Sequence, residues 1–376
     1  HSGLNINHPE LVRLLVENAG EAFEWSRDDL GVKYLDRIDI FGGHSAKRCY
    51  AAEKISGSTI INRQLLRLEE LGVEVRRETA FRGYVRDDSG AVTGIRVAPE
   101  ILLGARRGVI LAAGGYGADV SFRSLQDPRL DDSVDTTNRH SATAEVLKAT
   151  LAIGALPVHL SAIQLGPWAS PDEKGFGHGP RFADYIVFPY GMIVDPVTGK
   201  RFVNELADRK RISDALLGAG HPCVGIADAA AVKKAGWDIS KALKTGVVRT
   251  FDSIEELAAA YEMPAEKLKE AISLFNGAVA AGRDADLGKP IVDGAGPLDE
   301  APFYAMRVWP KVHHVSGGVG INARAQVIDL DGRPIPGLFA AGEVAGGIHG
   351  ANRLGSCAIT ECFVFGRIAG RNAAAG

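Results

Sequence analysis

A strand that ends in a carboxylate, followed closely by a glycine-rich loop and a helix, constrains this chain more than any other feature. Leu338-Phe339-Ala340-Ala341-Gly342-Glu343 reads as a buried strand whose exit presents one carboxylate. Such a group is placed to accept hydrogen bonds from sugar-type hydroxyls. The loop Gly346-Gly347-Ile348-His349-Gly350-Ala351-Asn352-Arg353-Leu354-Gly355-Ser356 then runs into a helix expected over 358–374. Glycines there let backbone N–H groups and a helix N-terminus approach an electron-rich ligand. Arg353 at its centre is a fork donor suited to a carboxylate. The chain has 45 glycines in 376 residues, against a usual frequency of roughly 7%.

The rest of the chain sets bounds. A net charge of −3 with both signs mixed gives no basic stripe for nucleic acid. The longest apolar runs, such as 109–113, are strand-length, far from the roughly 18 residues of a membrane span. Cys49, Cys223, Cys357 and Cys362 form no C-x-x-C pair, so zinc is not expected and the thiols read as buried packing. The N-terminus looks like a cut end, so the lack of a leader sequence leaves the compartment unknown.

Local patterns predict the elements. Pro9 suits the first position of a helix with Leu11, Leu14 and Leu15 on one face. A second helix is expected over 58–71, with Ile61, Leu65, Leu68 and Leu71 inward, followed by a strand over 73–77. Strands over 81–86 and 92–97 flank the turn Asp87-Asp88-Ser89-Gly90. A strand over 109–112 ends in Gly114-Gly115. A hairpin spans 192–203, and a helix begins near Arg209. Ser253 with Glu256 forms a capping box, and Pro264 opens a long helix. The order implies an α/β base domain over 1–162 and 308–376, and an inserted α+β cap over 163–307.

The segments AAGEVAGGIHGANRLGS, VHHVSGGVGIN, RFVNELADRK and VILAAGGYG occur in the order of the motifs of the fumarate reductase/succinate dehydrogenase flavoproteins. Taken together they resemble that family from about Asn5 to the C-terminus, most nearly the soluble flavocytochrome-type fumarate and urocanate reductases. The resemblance implies non-covalent FAD, a small unsaturated carboxylate as substrate, and an electron-donor protein or domain. It implies that Arg209 is the proton donor, that His313 and Arg353 bind the substrate carboxylate, and that His314 lies against the flavin. Glu343, Ser356, Ala358 and Ile359 would hold the flavin, Thr79 and Ala80 the adenine end, and Ala113, Gly114 and Gly115 the phosphate and ribose side. Arg209, His313 and Arg353 are then expected to converge over one face of the isoalloxazine. Hydride would reach the β-carbon of an enoate from flavin N5, while Arg353 and His313 stabilise the charge that grows on the carboxylate. Arginine is an unusual acid, since its side chain holds its proton to above about pH 12. The carbanion must therefore be the stronger base.

Two departures from the family pattern stand out. No strand with a G-x-G-x-x-G loop for the FAD pyrophosphate occurs, so this chain alone is expected to hold FAD poorly, and a second chain carrying that unit is an expected partner. No C-x-x-C-H heme motif occurs either. In the cap, Gly166 stands where fumarate reductases carry a histidine, Asp184 and Tyr185 where they carry Thr-Glu, and Phe188 where a relay arginine is expected. Asp184 would repel a second carboxylate, at about 4 kcal/mol for charges about 4 Å apart at an effective dielectric of 20. With Trp168, Tyr185 and Phe188 available to stack on a ring, the expected substrate is urocanate-like or an aryl acrylate. Fumarate reduction, ketosteroid dehydrogenation and a non-catalytic flavoprotein partner are the alternatives.

Overall fold

The computed structural model describes residues 2–40 and 43–375. The chain divides into two compact units: His1–Pro128 with Ala142–Ile163 and His314–Gly376, and Arg129–Ser141 with Gln164–His313. The base and cap boundaries expected from sequence lay at 162/163 and 307/308. The division instead falls at 163/164 and 313/314, and it moves 129–141 into the second unit. The reason is backbone pairing: Val312 N–H donates to Asp135 O (2.9 Å) and Thr137 N–H to Val312 O (2.8 Å).

In the first unit the helix Pro9–Asp28 opens on its proline and packs along the terminal helix Cys357–Ala375. Trp25 meets Phe363 edge-on at 5.9 Å, and Glu21 bonds Arg367 (2.6 Å) and Arg371 (3.2 Å) outside that seam. The helix Gly57–Glu70 begins on Ser56, whose hydroxyl accepts the Ser58 N–H. Its inward face is not the one expected. Ile60 is buried, while Ile61, Leu65, Leu66 and Leu71 are exposed. The helix docks through Ile60 and through Arg63, which donates to Leu30 O at 2.7 Å, so the buried stripe is one residue out of phase with the predicted one. Residues 73–77 form no strand, and Val73 and Val75 lie exposed with no paired neighbour strand among the described residues.

The hairpin Phe81–Arg86 with Val92–Val97 forms as expected and adds a third strand, Ile101–Gly104. Its turn closes because the Asp87 carboxylate accepts the N–H groups of Ser89 and Ala91. The central strand of the neighbouring sheet is Pro334–Ala340. It runs parallel to Val109–Leu111, with Leu338 beside Val109 and Ala340 beside Leu111. Parallel pairing brings both carboxyl ends, 112–115 and 341–343, to one edge, the place where open α/β sheets take ligands. Leu111, Tyr116, Val315, Leu338, Val344 and Phe365 form the core beneath.

The second unit is built on an antiparallel sheet in the order Arg249–Phe251, Phe303–Val308, Cys223–Ala227, Met192–Asp195, Lys200–Arg201. Side chains alternate between its faces. Met192, Val194, Val224 and Ile226 enter one apolar cluster with Leu257 and Phe275 of the helices Ile254–Ala260 and Ala265–Ala280. Ile193, Cys223 and Ala227 enter another with Ile212 and Leu216 of the helix Arg209–Ala219. Both faces are covered, which is why 223–227 reads as a continuous apolar run. Among the described residues no helix is long and apolar enough to cross a membrane. Cys49 and Cys223 are buried as expected, but Cys357 is half-buried and Cys362 exposed.

Candidate active site

In the second unit the run Arg201-Phe202-Val203-Asn204-Glu205 is an anchor. Arg201 bonds Glu205 (2.9 Å) and Asp284 (3.0 Å), all three nearly buried. Glu205 also accepts the Ile193 N–H at 2.9 Å and lies 3.4 Å from the buried Lys289 ammonium. Removing charges from water is costly unless each is paired, so this network fixes the loop that leads to Asp208. Asp208 caps the next helix by accepting the N–H groups of Lys210 and Arg211, and Arg209 is that helix's first residue.

Arg209 lies over the Trp168 ring, its Cζ 5.7 Å from the centroid. Its Nη1 is buried and has no hydrogen-bond partner. The His313 ring meets the same indole edge-on at 4.8 Å. The structure therefore brings Arg209 and His313 to one tryptophan. His313 Nδ1 is 2.8 Å from Thr137 Oγ1, and Asn138 Nδ2 donates to His313 O at 3.3 Å. Lys311, two residues before His313, is buried and pairs with Asp135 at 3.0 Å; its ammonium also reaches the carbonyls of Glu173 and Gly175. Burial alone would raise the Asp135 carboxyl, but the Thr136 N–H, Lys311 and the Gly175 N–H hold it below the usual range. Sequence reading missed the brace 135–138. Its only signal was a polar run, Asp-Thr-Thr-Asn, with no partner visible in the local pattern.

The aromatic residues expected to stack on a substrate ring are engaged within the protein, Trp168 with Phe176 (5.3 Å) and His313 (4.8 Å). Tyr185 stacks on Trp237 (4.3 Å, 27°), Phe188 is buried, and Trp168 is 2% exposed. Asp184 and Tyr185 sit half-buried on the π-helical turn Ala183–Val187.

In the first unit Glu343 stands at the carboxyl end of the central strand. The N–H groups of Val315 (2.8 Å) and Gly115 donate to it, and His314 Nδ1 lies at 3.4 Å. Burial pushes the Glu343 carboxyl above the usual range, while the Val315 N–H and the nearby Arg353 charge pull it part of the way back. Gly115 permits this approach, since a Cβ there would lie 2.5 Å from Glu343 Oε1 and push the carboxylate aside. Gly114, by contrast, has φ +77 and open space where a side chain would stand. Ala113 beside it is exposed. The glycine edge at the ends of these parallel strands is thus open beside a carboxylate.

Arg353 is 5% exposed, and its Nη1 donates to Leu354 O at 3.0 Å. The loop around it is held from two directions. His349 bonds Glu361 of the terminal helix at 2.7 Å, both buried, and meets the His314 ring edge-on at 5.7 Å. The N-terminal residues wrap its other side: His8 N–H donates to Gly347 O (2.7 Å) and Ala351 N–H to Gly3 O (3.1 Å). Gly350, with φ +64, has no room for a side chain, since a Cβ would lie 2.4 Å from Gly3 O. His349 and Glu361 were not anticipated; a single acidic residue in the terminal helix was the available signal. Ser356 has φ +66 and leads into Cys357 at the helix start. Ala358 is half-buried and Ile359 exposed. Thr79 and Ala80 lie at the unit's surface, the Thr79 hydroxyl donating to Arg77 O. Among the described residues no cluster of three or more His, Cys, Asp or Glu could hold a metal ion.

The FAD binding domain family matches residues 1–359. The acrylate reductase flavoprotein subunit of Shewanella woodyi is 41% identical, over 98% of this chain and 76% of that protein. The urocanate reductase of Eggerthella lenta is 34% identical, over 99% of this chain and 62% of the relative. Among solved structures, the open conformation of a flavocytochrome c3 fumarate reductase aligns with TM-score 0.78 at 32% identity, covering 100% of this chain and 65% of that one. The chain thus spans about three quarters of the first relative and under two thirds of the other two.

Proposed function

Because this chain belongs to the FAD binding domain family, we propose that it is a flavin-dependent oxidoreductase that reduces the carbon–carbon double bond of a short α,β-unsaturated monocarboxylate. The observation that carries this reading is the Arg209 Nη1, buried without a partner against the Trp168 ring that also meets His313. A buried guanidinium donor left unpaired is unfavourable by several kcal/mol at most and by about 1–3 kcal/mol at least. A substrate anion, or a proton acceptor derived from it, removes that penalty.

The roles follow from chemistry. Arg209 delivers the proton to the α-carbon. His313 and Arg353 bind the carboxylate and meet the charge that develops on it. Thr137 orients His313. Glu343, fixed by the Gly115 N–H, and the open edge at Gly114 hold the ribose and phosphate portion of FAD, and Ser356, Ala358 and Ile359 its ring system. FAD, when bound, supplies the hydride. Asp184 disfavours a second carboxylate, which argues against fumarate. The engaged state of Trp168 and Tyr185 argues against a urocanate-sized ring and for an acrylate-sized substrate, as does the 41% identity to a protein named for acrylate.

The test is anaerobic oxidation of a reduced viologen dye by the FAD-loaded protein, with acrylate, urocanate and fumarate as acceptors. Acrylate should give the highest kcat/KM. Loaded protein that turns over none of the three would overturn the enoate reading, and faster fumarate than acrylate turnover would overturn the monocarboxylate reading.

A further inference from the structure

We propose that Trp168, seated on Gly166, sets the size of the substrate by filling the space beyond a three- or four-carbon enoate. The proposal rests on the enoate-reductase reading above. One indole borders both substrate-contacting groups of the second unit, with Arg209 Cζ 5.7 Å and the His313 ring centre 4.8 Å from its centroid. A molecule that reaches both groups lies against the indole rim.

The ring has no room to retreat. Gly166 lies so close to its six-membered part that a Cβ there would be 2.9 Å from Cζ2 and Cη2. Backbone is much less able to give way than the end of a flexible side chain. Phe176 closes another side, ring centres 5.3 Å apart. Residues 165–170 are all buried, so the wall is packed on its protein side.

The chemistry of the side chain points the same way. The indole N–H is buried and has no hydrogen-bond partner. Tryptophan N–H groups usually find one when buried, and an unpaired donor is destabilising by about 1–3 kcal/mol. Phenylalanine or leucine would fill an apolar gap without that penalty. What tryptophan adds at this position is volume. A carboxylate with a vinyl group fits against the rim, whereas an aryl or imidazolyl group on the β-carbon competes with the indole for the same space.

The experiment uses the FAD-loaded chain and the variants Trp168→Ala and Trp168→Phe. Steady-state reduction of acrylate and cinnamate by reduced viologen gives a selectivity ratio. Calorimetric binding of propanoate and 3-phenylpropanoate, which cannot be reduced, gives a second ratio that does not depend on turnover. One methylene in a tight pocket is worth about tenfold or more in discrimination. W168A should therefore shift both ratios toward the aryl compound by at least tenfold, with W168F intermediate. Unchanged ratios in variants that keep wild-type flavin content and melting transition overturn the proposal, as does wild-type protein that handles cinnamate as well as acrylate. If W168A does not fold, W168F decides alone. If the wild type reduces no enoate, the function reading fails, while the binding ratios still decide whether Trp168 limits size.

Discussion

Thr137 Oγ1 lies 2.8 Å from His313 Nδ1, joining the segment 135–138 to the middle of the strand Lys311–Val315. The same hydroxyl is 3.4 Å from Val312 O. Holding one ring nitrogen fixes the imidazole's orientation. One neutral hydrogen bond contributes about 0.5–1.5 kcal/mol. T137V should lower kcat/KM for acrylate about tenfold and move its pH profile, and T137S should restore both. Equal behaviour of T137V and T137S would remove the positioning role.

Arg209 gives the sharpest kinetic prediction. General acid catalysis contributes about 10²–10⁴-fold, so R209Q should lose kcat by that factor while keeping its flavin. Stopped-flow reoxidation of the reduced protein by acrylate reads the loss directly. A variant that reoxidises at the wild-type rate would assign the proton to another group.

The Asp135–Lys311 pair predicts a pH-dependent stability. The folded Asp135 carboxyl lies below its ordinary value, so its contribution is present above the unfolded value of about 3.9 and is lost as pH falls through the folded one. Breaking a buried pair is destabilising by about 3–5 kcal/mol, and the partial exposure of Asp135 reduces this to about 2 kcal/mol. Urea unfolding should find D135N weaker than wild type by that amount at pH 7 and nearly equal near pH 2.

Glu343 behaves in the opposite sense. Its folded carboxyl is raised by burial, so the stability tied to its protonated form is present below the unfolded value of about 4.3 and is lost as pH rises through the folded value. E343Q still offers an oxygen to the Val315 N–H. Without FAD its melting temperature at pH 7 should equal or exceed that of wild type, with a flatter profile above pH 4. FAD retention on a desalting column should fall about tenfold, the value of one charge-assisted hydrogen bond at about 1.5 kcal/mol.

Much of this arrangement could be read from residues close together in the chain. The 81–97 hairpin announced itself by its turn at Asp87–Gly90, and a helix was expected to begin near Arg209, as it does. The helix 57–70 was found, but its buried face was misread because two apolar stripes overlap at Leu68. Only its docking through Ile60 and Arg63 separates them. The segment 73–77 has strand-like residues and no partner, and a ladder is made by partners. Thr137 and Asp135 escaped notice because each acts on a residue far away in sequence, and Glu361 because its partner His349 lies in the loop before the helix. Only the folded chain shows the pairing with Val312, Lys311 and His349.

The contact between Gly115 and Glu343 has an evolutionary corollary. A side chain gained at 115 pushes the carboxylate at 343 aside, and a shortened 343 leaves the N–H groups of Gly115 and Val315 without their acceptor. A change at either site therefore favours a compensating change at the other, and the two are expected to vary together across descendants.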